Sequence, residues 1–194
     1  VPQRLREVFA VLQPQGELSS LQVQIGDHEH AVPDWEVDAN FRDVAVQSWH
    51  GAPGVQAATG YVKLTPGKGF VVMDSPGLSL DFPTVYQQPL HYEDMFGSLH
   101  LDWDSETFTI ASGLLTTRGD EGEAKVLFGL TIPLEPSEVG IEMDLLVGLQ
   151  DSHPVHRVKY IPYVLDDTLL SWLADSIGEG HIEQGAFIWR GSLN

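Results

Sequence analysis

Trp35-Glu36-Val37-Asp38-Ala39-Asn40-Phe41-Arg42 decides the fold: every odd position is apolar and every even one polar. Successive side chains of an extended strand point to opposite faces, so this spacing predicts a strand with one face out of water. The rhythm recurs outward from there. Leu18-Ser19-Ser20-Leu21-Gln22-Val23-Gln24-Ile25 precedes it; Leu78-Ser79-Leu80-Asp81-Phe82 and Leu99-His100-Leu101-Asp102-Trp103-Asp104 follow. Phe108 and Ile110 continue it in a Thr-rich stretch, and the segments Ala124 to Ile132 and Ile141 to Leu149 are the longest. Turn signals separate the runs: Pro53-Gly54, Pro66-Gly67-Lys68-Gly69, Pro76-Gly77, Asp104-Ser105, Gly119-Asp120-Glu121-Gly122 and Pro136-Ser137. Typical strand and turn lengths turn this spacing into an antiparallel meander of about ten strands, a mainly β fold.

Two segments follow a helical period instead. Leu5, Val8, Phe9 and Leu12 form one apolar stripe; Leu169, Leu170, Leu173 and Ile177 form another, with Asp166 or Asp167 as its cap and Gly178 and Gly180 at its end. Tyr160-Ile161-Pro162-Tyr163 before the second stripe reads as extended, because Pro162 disfavours helix at Ile161. Each stripe is followed by glycine and a strand. Leu5 and Leu169, Phe9 and Leu173, Gly16 and Gly180, and Leu18 and Ile182 are each 164 positions apart. A chain that completes such a unit and opens another is expected to be a segment of a repeat array. On this reading residues 1–165 form a helix plus β-meander unit and residues 166–194 start the next, packed together as one domain.

The formal charge is −18, from 10 basic and 28 acidic residues. That balance argues against nucleic acid, whose phosphates are neutralised by Lys and Arg. It also argues against electrostatic adsorption to anionic lipid. With no cysteine there are no disulfides and no thiolate metal sites, which leaves the compartment open. No apolar run approaches the roughly 20 residues that span a bilayer. Val1 is not a start, and an amphipathic stripe stands where a signal peptide would be. The chain is therefore expected to be an excised piece, with any targeting or anchoring segment outside it.

The strands place more large apolar side chains on one side than two short helices can cover, since a helix covers only a stripe. Such a sheet either closes on itself or leaves a greasy trough that something else fills. The ends of the repeat favour an open, extendable sheet.

Chemistry-bearing groups are sparse. His28 and His30 could ligate a metal, but they sit in a polar turn. Asp151, His153 and His156 have a loose metal-like spacing and no further partner. Asp102 and Asp104 flank Trp103 as a glycosidase pair might, yet belong to the polar face of an alternating strand. No Gly-rich phosphate loop precedes a helix, and no Gly-x-Ser-x-Gly elbow occurs. No enzyme, metal or cofactor is expected. Trp172 is expected to pack on the sheet edge, and Arg157 and Lys159 are thin evidence for a headgroup contact.

Several motifs carry a resemblance. They are Leu12-Gln13-Pro14-Gln15-Gly16, Trp49-His50-Gly51-Ala52-Pro53-Gly54 with Gly60 after it, and Leu80-Asp81-Phe82-Pro83. Further on come Tyr160-Ile161-Pro162, Trp172-Leu173, and the stretch from Gly180 to Leu193. Together, and in this order, they resemble the periplasmic region of YhdP-type AsmA-like proteins of Gram-negative bacteria. The resemblance implies a long chain anchored in the inner membrane by a helix outside these residues. Its periplasmic part would be a repeating groove, a curved antiparallel sheet folded like a taco, with two short amphipathic helices at the repeat boundaries. It implies passage of phospholipid between inner and outer membranes, in support of the outer-membrane permeability barrier, and no catalytic motif. Acyl chains would lie against Val37, Phe41, Leu80, Phe82, Leu99, Leu101, Phe128, Leu130, Met143 and Leu145, and neighbouring repeats of the same chain would continue the sheet. Two other readings stay open: a closed β-domain acting as an interaction scaffold in envelope assembly, and a sugar-binding β-domain using Trp and Asp side chains.

Overall fold

The computed structural model describes residues 13–26, 35–48, 53–120, 122–134, 140–156, 159, 163, 166–176 and 180–192. One sheet contains twelve strands: β1 (Gln15–Ile25), β2 (Trp35–Val46), β3 (Gly54–Thr65), β4 (Lys68–Pro76), β5 (Ser79–Asp81), β6 (Leu90–His91), β7 (Asp94–Trp103), β8 (Thr107–Ser112), β9 (Leu115–Gly119), β10 (Gly122–Pro133), β11 (Glu142–Ser152) and β12 (Ile182–Ser192). Its hydrogen-bonded path runs β1-β2-β3-β4-β7-β8-β10-β11-β12, antiparallel throughout. The protein is thus mainly β, a curved antiparallel meander.

The strand count exceeds the expected one partly because bends split continuous strands. β8 and β9 share both neighbours, β7 and β10, and are one strand interrupted at Gly113 and Leu114. β4 and β5 both pair with β3, and Gly77 and Leu78 join them through a bend at which Gly77 N donates to Glu93 O at 2.7 Å. Nearby, Asp43 in β2 and Ala57 in β3 take positive φ values of 51° and 59°. Such bulges bend a strand and leave backbone groups without a ladder partner. Hydroxyls fill the gaps. Ser75 Oγ accepts from Thr59 N and donates to Thr59 O, both at 2.9 Å, and Thr59 Oγ1 accepts from Asp43 N at 3.2 Å.

This bent end holds the packed cluster of Ala58, Leu78 and Met95, with Phe41, Val44, Val55, Met73, Leu80 and Tyr92 around it. The chain beyond β11 returns to the same region. It leaves β11 at Ser152, and β12 begins opposite that residue at Ile182. In between, Tyr163 N donates to Val85 O at 3.0 Å and Tyr163 Oη to Pro83 O at 2.9 Å. Lys159 Nζ donates to His91 O at 2.7 Å and lies 5.3 Å from the Tyr92 ring centre.

The helix α1 (Asp167–Ser176) follows. Asp166 is its cap: Asp166 Oδ1 accepts from Thr168 N at 2.9 Å, and hydrogen bonding from the Thr168 hydroxyl first and this amide second holds the carboxyl below the usual aspartate range. The first expected helix, over Leu5 to Leu12, lies outside the described residues. Gly16, at the start of β1, and Gly180, just before β12, have φ values of 139° and 159°. Among the described residues no helix is long and apolar enough to cross a membrane.

Candidate functional site

Residues directly opposite each other on paired strands share a face, so the register traces one surface across the sheet. On β2, Val37 and Phe41 stand opposite Val23 and Leu18 of β1. On the other side they meet Leu64 and Gly60 of β3. Val62 then meets Val71 of β4, and Val71 meets Leu99 of β7. Leu101 lies opposite Ile110, Ile110 opposite Leu130, and Leu130 opposite Met143. Phe128 lies opposite Leu145, which reaches Trp189 on β12. The row is apolar from one edge of the sheet to the other. On the reverse face the same strands carry Glu36, Asp38, Asn40, Lys63, His100, Asp102, Lys125, Asp144 and Arg190. Lys63 and Glu36 pair there at 2.7 Å, which raises the lysine pKa, and Arg190 and Asp144 pair at 3.3 Å.

Eight of the ten residues expected to line a trough share this face: Val37, Phe41, Leu99, Leu101, Phe128, Leu130, Met143 and Leu145. Leu80 points into the packed cluster at the bent end. Phe82 follows β5 and meets Tyr86 edge-on at 5.9 Å between ring centres, because the strand has ended before it.

Among the described elements, every pair in substantial contact consists of hydrogen-bonded neighbours in the sheet, and no second layer is seen against the face. The buried apolar residues among those described are Ala39, Ala58, Leu78, Leu90, Met95, Leu115 and Ile132, far too few for a second layer. All eight lining residues are instead half-buried. On a single layer that degree of cover comes from neighbouring side chains crowding one another along the row. Two glycines shape its floor. A Cβ on Gly60 would sit 2.9 Å from Phe41 Cζ, and one on Gly69 would sit 2.9 Å from Leu64 Cδ2 and 3.0 Å from Leu101 Cδ1. Larger side chains therefore lie down across the bare backbone at these points.

The polar candidates resolve differently. Asp104 closes the turn between β7 and β8: its Oδ1 accepts from Thr107 N and Glu106 N, both at 2.8 Å. Those bonds, Thr107 first, hold its carboxyl below the usual aspartate range. His153 lies against His181 with ring centres 5.1 Å apart, and His181 Nε2 is 3.4 Å from Asp151. Among the described residues no three His, Asp or Glu side chains group so as to hold a metal ion. His28, His30 and Arg157 lie outside the described residues. Trp172 is 61% exposed on α1, so the expected packing on the sheet edge does not occur.

The sequence reading did not mark β3 and β4, although both flank the Pro66-Gly67 turn it had noted. The signal lay in β3, where Val62 and Leu64 alternate with Tyr61, Lys63 and Thr65; in β4 the run Phe70-Val71-Val72-Met73 does not alternate.

Comparison with curated proteins and with solved structures gave no match. One family model, described as YhdP protein, matches residues 1–194. The chain, whose whole length that match covers, belongs to the YhdP family.

Proposed function

We propose that this chain is a non-enzymatic segment of a periplasmic lipid conduit, in which phospholipid acyl chains slide along the apolar face on the way between inner and outer membranes. The observation that carries the reading is a continuous apolar face on a single bent layer, with no second layer over it among the described residues. A tail leaving water gains roughly 0.8 kcal/mol per CH₂. An unbroken lining offers that gain at every position, so the barrier to movement along it stays low. The nine strands of the main path, spaced about 4.8 Å apart, provide roughly 40 Å of such lining. β1 and β12 end the sheet with one long edge each, which suits continuation by neighbouring repeats of the same chain. An inner-membrane anchor would lie outside these residues, and support of the outer-membrane barrier would follow from the transport.

Mass spectrometry of organic extracts from the purified chain tests the reading. Co-purifying phospholipid is expected, and it should be lost when Leu101 or Phe128 is replaced by Asp with the sheet retained. An extract free of lipid, with those variants unfolded, favours the closed interaction module, since a charge buried without a partner unfolds a packed core.

A further inference from the structure

The two ends of the apolar face differ in chemistry. At the bent end the face is occupied by its own packing around Ala58, Leu78 and Met95. At the opposite end two tryptophans stand on either side of the Pro66-Gly67 turn. Val37 is opposite Leu64, so Trp35 is one same-face position further along, level with the turn. Trp103 N donates to Gly67 O at 2.9 Å from the other side. Trp103 is also opposite Phe108, the rings stacked at 6.3 Å, and both tryptophans are half-buried. An indole combines a large apolar surface with one N–H donor, and so favours the level where hydrocarbon meets water. The charge at this end narrows the occupant further. On the reverse face Lys68 is opposite Asp102 and Lys63 pairs with Glu36, and the turn beyond Trp103 adds Asp104 and Glu106, so carboxylates outnumber cations at this end. A net-anionic headgroup is repelled there, whereas a positive amine is attracted by carboxylates and by aromatic faces.

We propose that the end of the face marked by Trp35, Trp103 and Phe108 is the headgroup station of the conduit: tails lie on the apolar face, the ester level lies at the tryptophans, and a zwitterionic headgroup with a cationic nitrogen projects beyond them. This rests on the acyl-chain reading of the face given above. The test is depth-dependent fluorescence quenching in a chain whose sole tryptophan is Trp103, the other four being replaced by Phe. It is loaded with phosphatidylcholine brominated either near the ester or near the terminal methyl. Most of the emission should be lost with the ester-proximal label and little with the methyl-proximal one, and phosphatidylglycerol should displace the bound lipid less well than phosphatidylcholine. Bound lipid with the deeper label quenching equally or more, or with phosphatidylglycerol displacing better, overturns the headgroup station and leaves the conduit standing. Failure to load any lipid overturns both. If the substituted chain does not fold, 5-fluorotryptophan in the unsubstituted protein, read by fluorine NMR against a paramagnetic headgroup label, makes the same measurement.

Discussion

Leu130→Ala and Leu78→Ala remove the same atoms from opposite kinds of environment. Leu78 is fully buried in the cluster at the bent end. Leu130 is half-buried between Ile110 and Met143 on the uncovered face. Truncating a core leucine costs the transfer term plus a cavity, about 2–5 kcal/mol. A face open to solvent forms no cavity, and only part of the side chain was out of water to begin with. The cost at Leu130 is then about 1 kcal/mol, taking roughly half of the 0.8 kcal/mol per CH₂ for the atoms removed. With a urea slope of about 2 kcal/mol/M, the midpoint should fall by about 0.5 M for Leu130→Ala and by about 1–2.5 M for Leu78→Ala, at unchanged slope. Equilibrium urea unfolding followed by circular dichroism measures both. Equal losses at the two positions would mean that something covers Leu130, and the case for an open face would collapse.

Three further outcomes follow from single contacts. Ser75→Ala should cost about 1–3 kcal/mol, because the part-buried Thr59 backbone groups it serves would be left unpaired; faster hydrogen exchange at the Thr59 amide would localise the loss. Gly60→Ala should destabilise by about 1–3 kcal/mol through collision with the Val72 carbonyl and Phe41, read as a lower melting temperature. Asp104 titrates below its usual range in the folded chain, so its contribution is present above the ordinary aspartate pKa and is lost as pH falls through the lowered one. Asp104→Asn should therefore show a shallower decline in stability on acidification than the parent, measured by urea midpoints from neutral pH downward; an identical acid limb would remove Asp104 from the account.

Much of this architecture was readable from single strands. The alternation in Trp35 to Phe41 is strict because one side of β2 meets water and the other meets Val62 and Leu64. The same contrast marks β7, β10 and β11. β3 and β4 were harder to see because Gly60 and Gly69 interrupt their apolar series, and those glycines are there to let Phe41, Leu64 and Leu101 lie across them. Phe82 continued an alternating run in sequence yet left the face, because a run of alternation does not reveal where pairing stops. The helix cap at Asp166 was one of two adjacent carboxylates, and only the hydrogen bond to Thr168 distinguishes them.

Period-two hydrophobicity by itself determined that this chain forms strands with one apolar side, because alternation is a property of a strand's own geometry. Proline and glycine positions supplied the turns, and the repeat supplied the offset between Gly16 at the start of β1 and Gly180 before β12. Whether those apolar sides would close against each other was decided only in three dimensions. Bulges at Asp43 and Ala57 and the bend at Gly77 curl one end into a small core and leave the rest of the layer without a partner among the described residues. Burial depends on what lies opposite a side chain, and no local pattern encodes that.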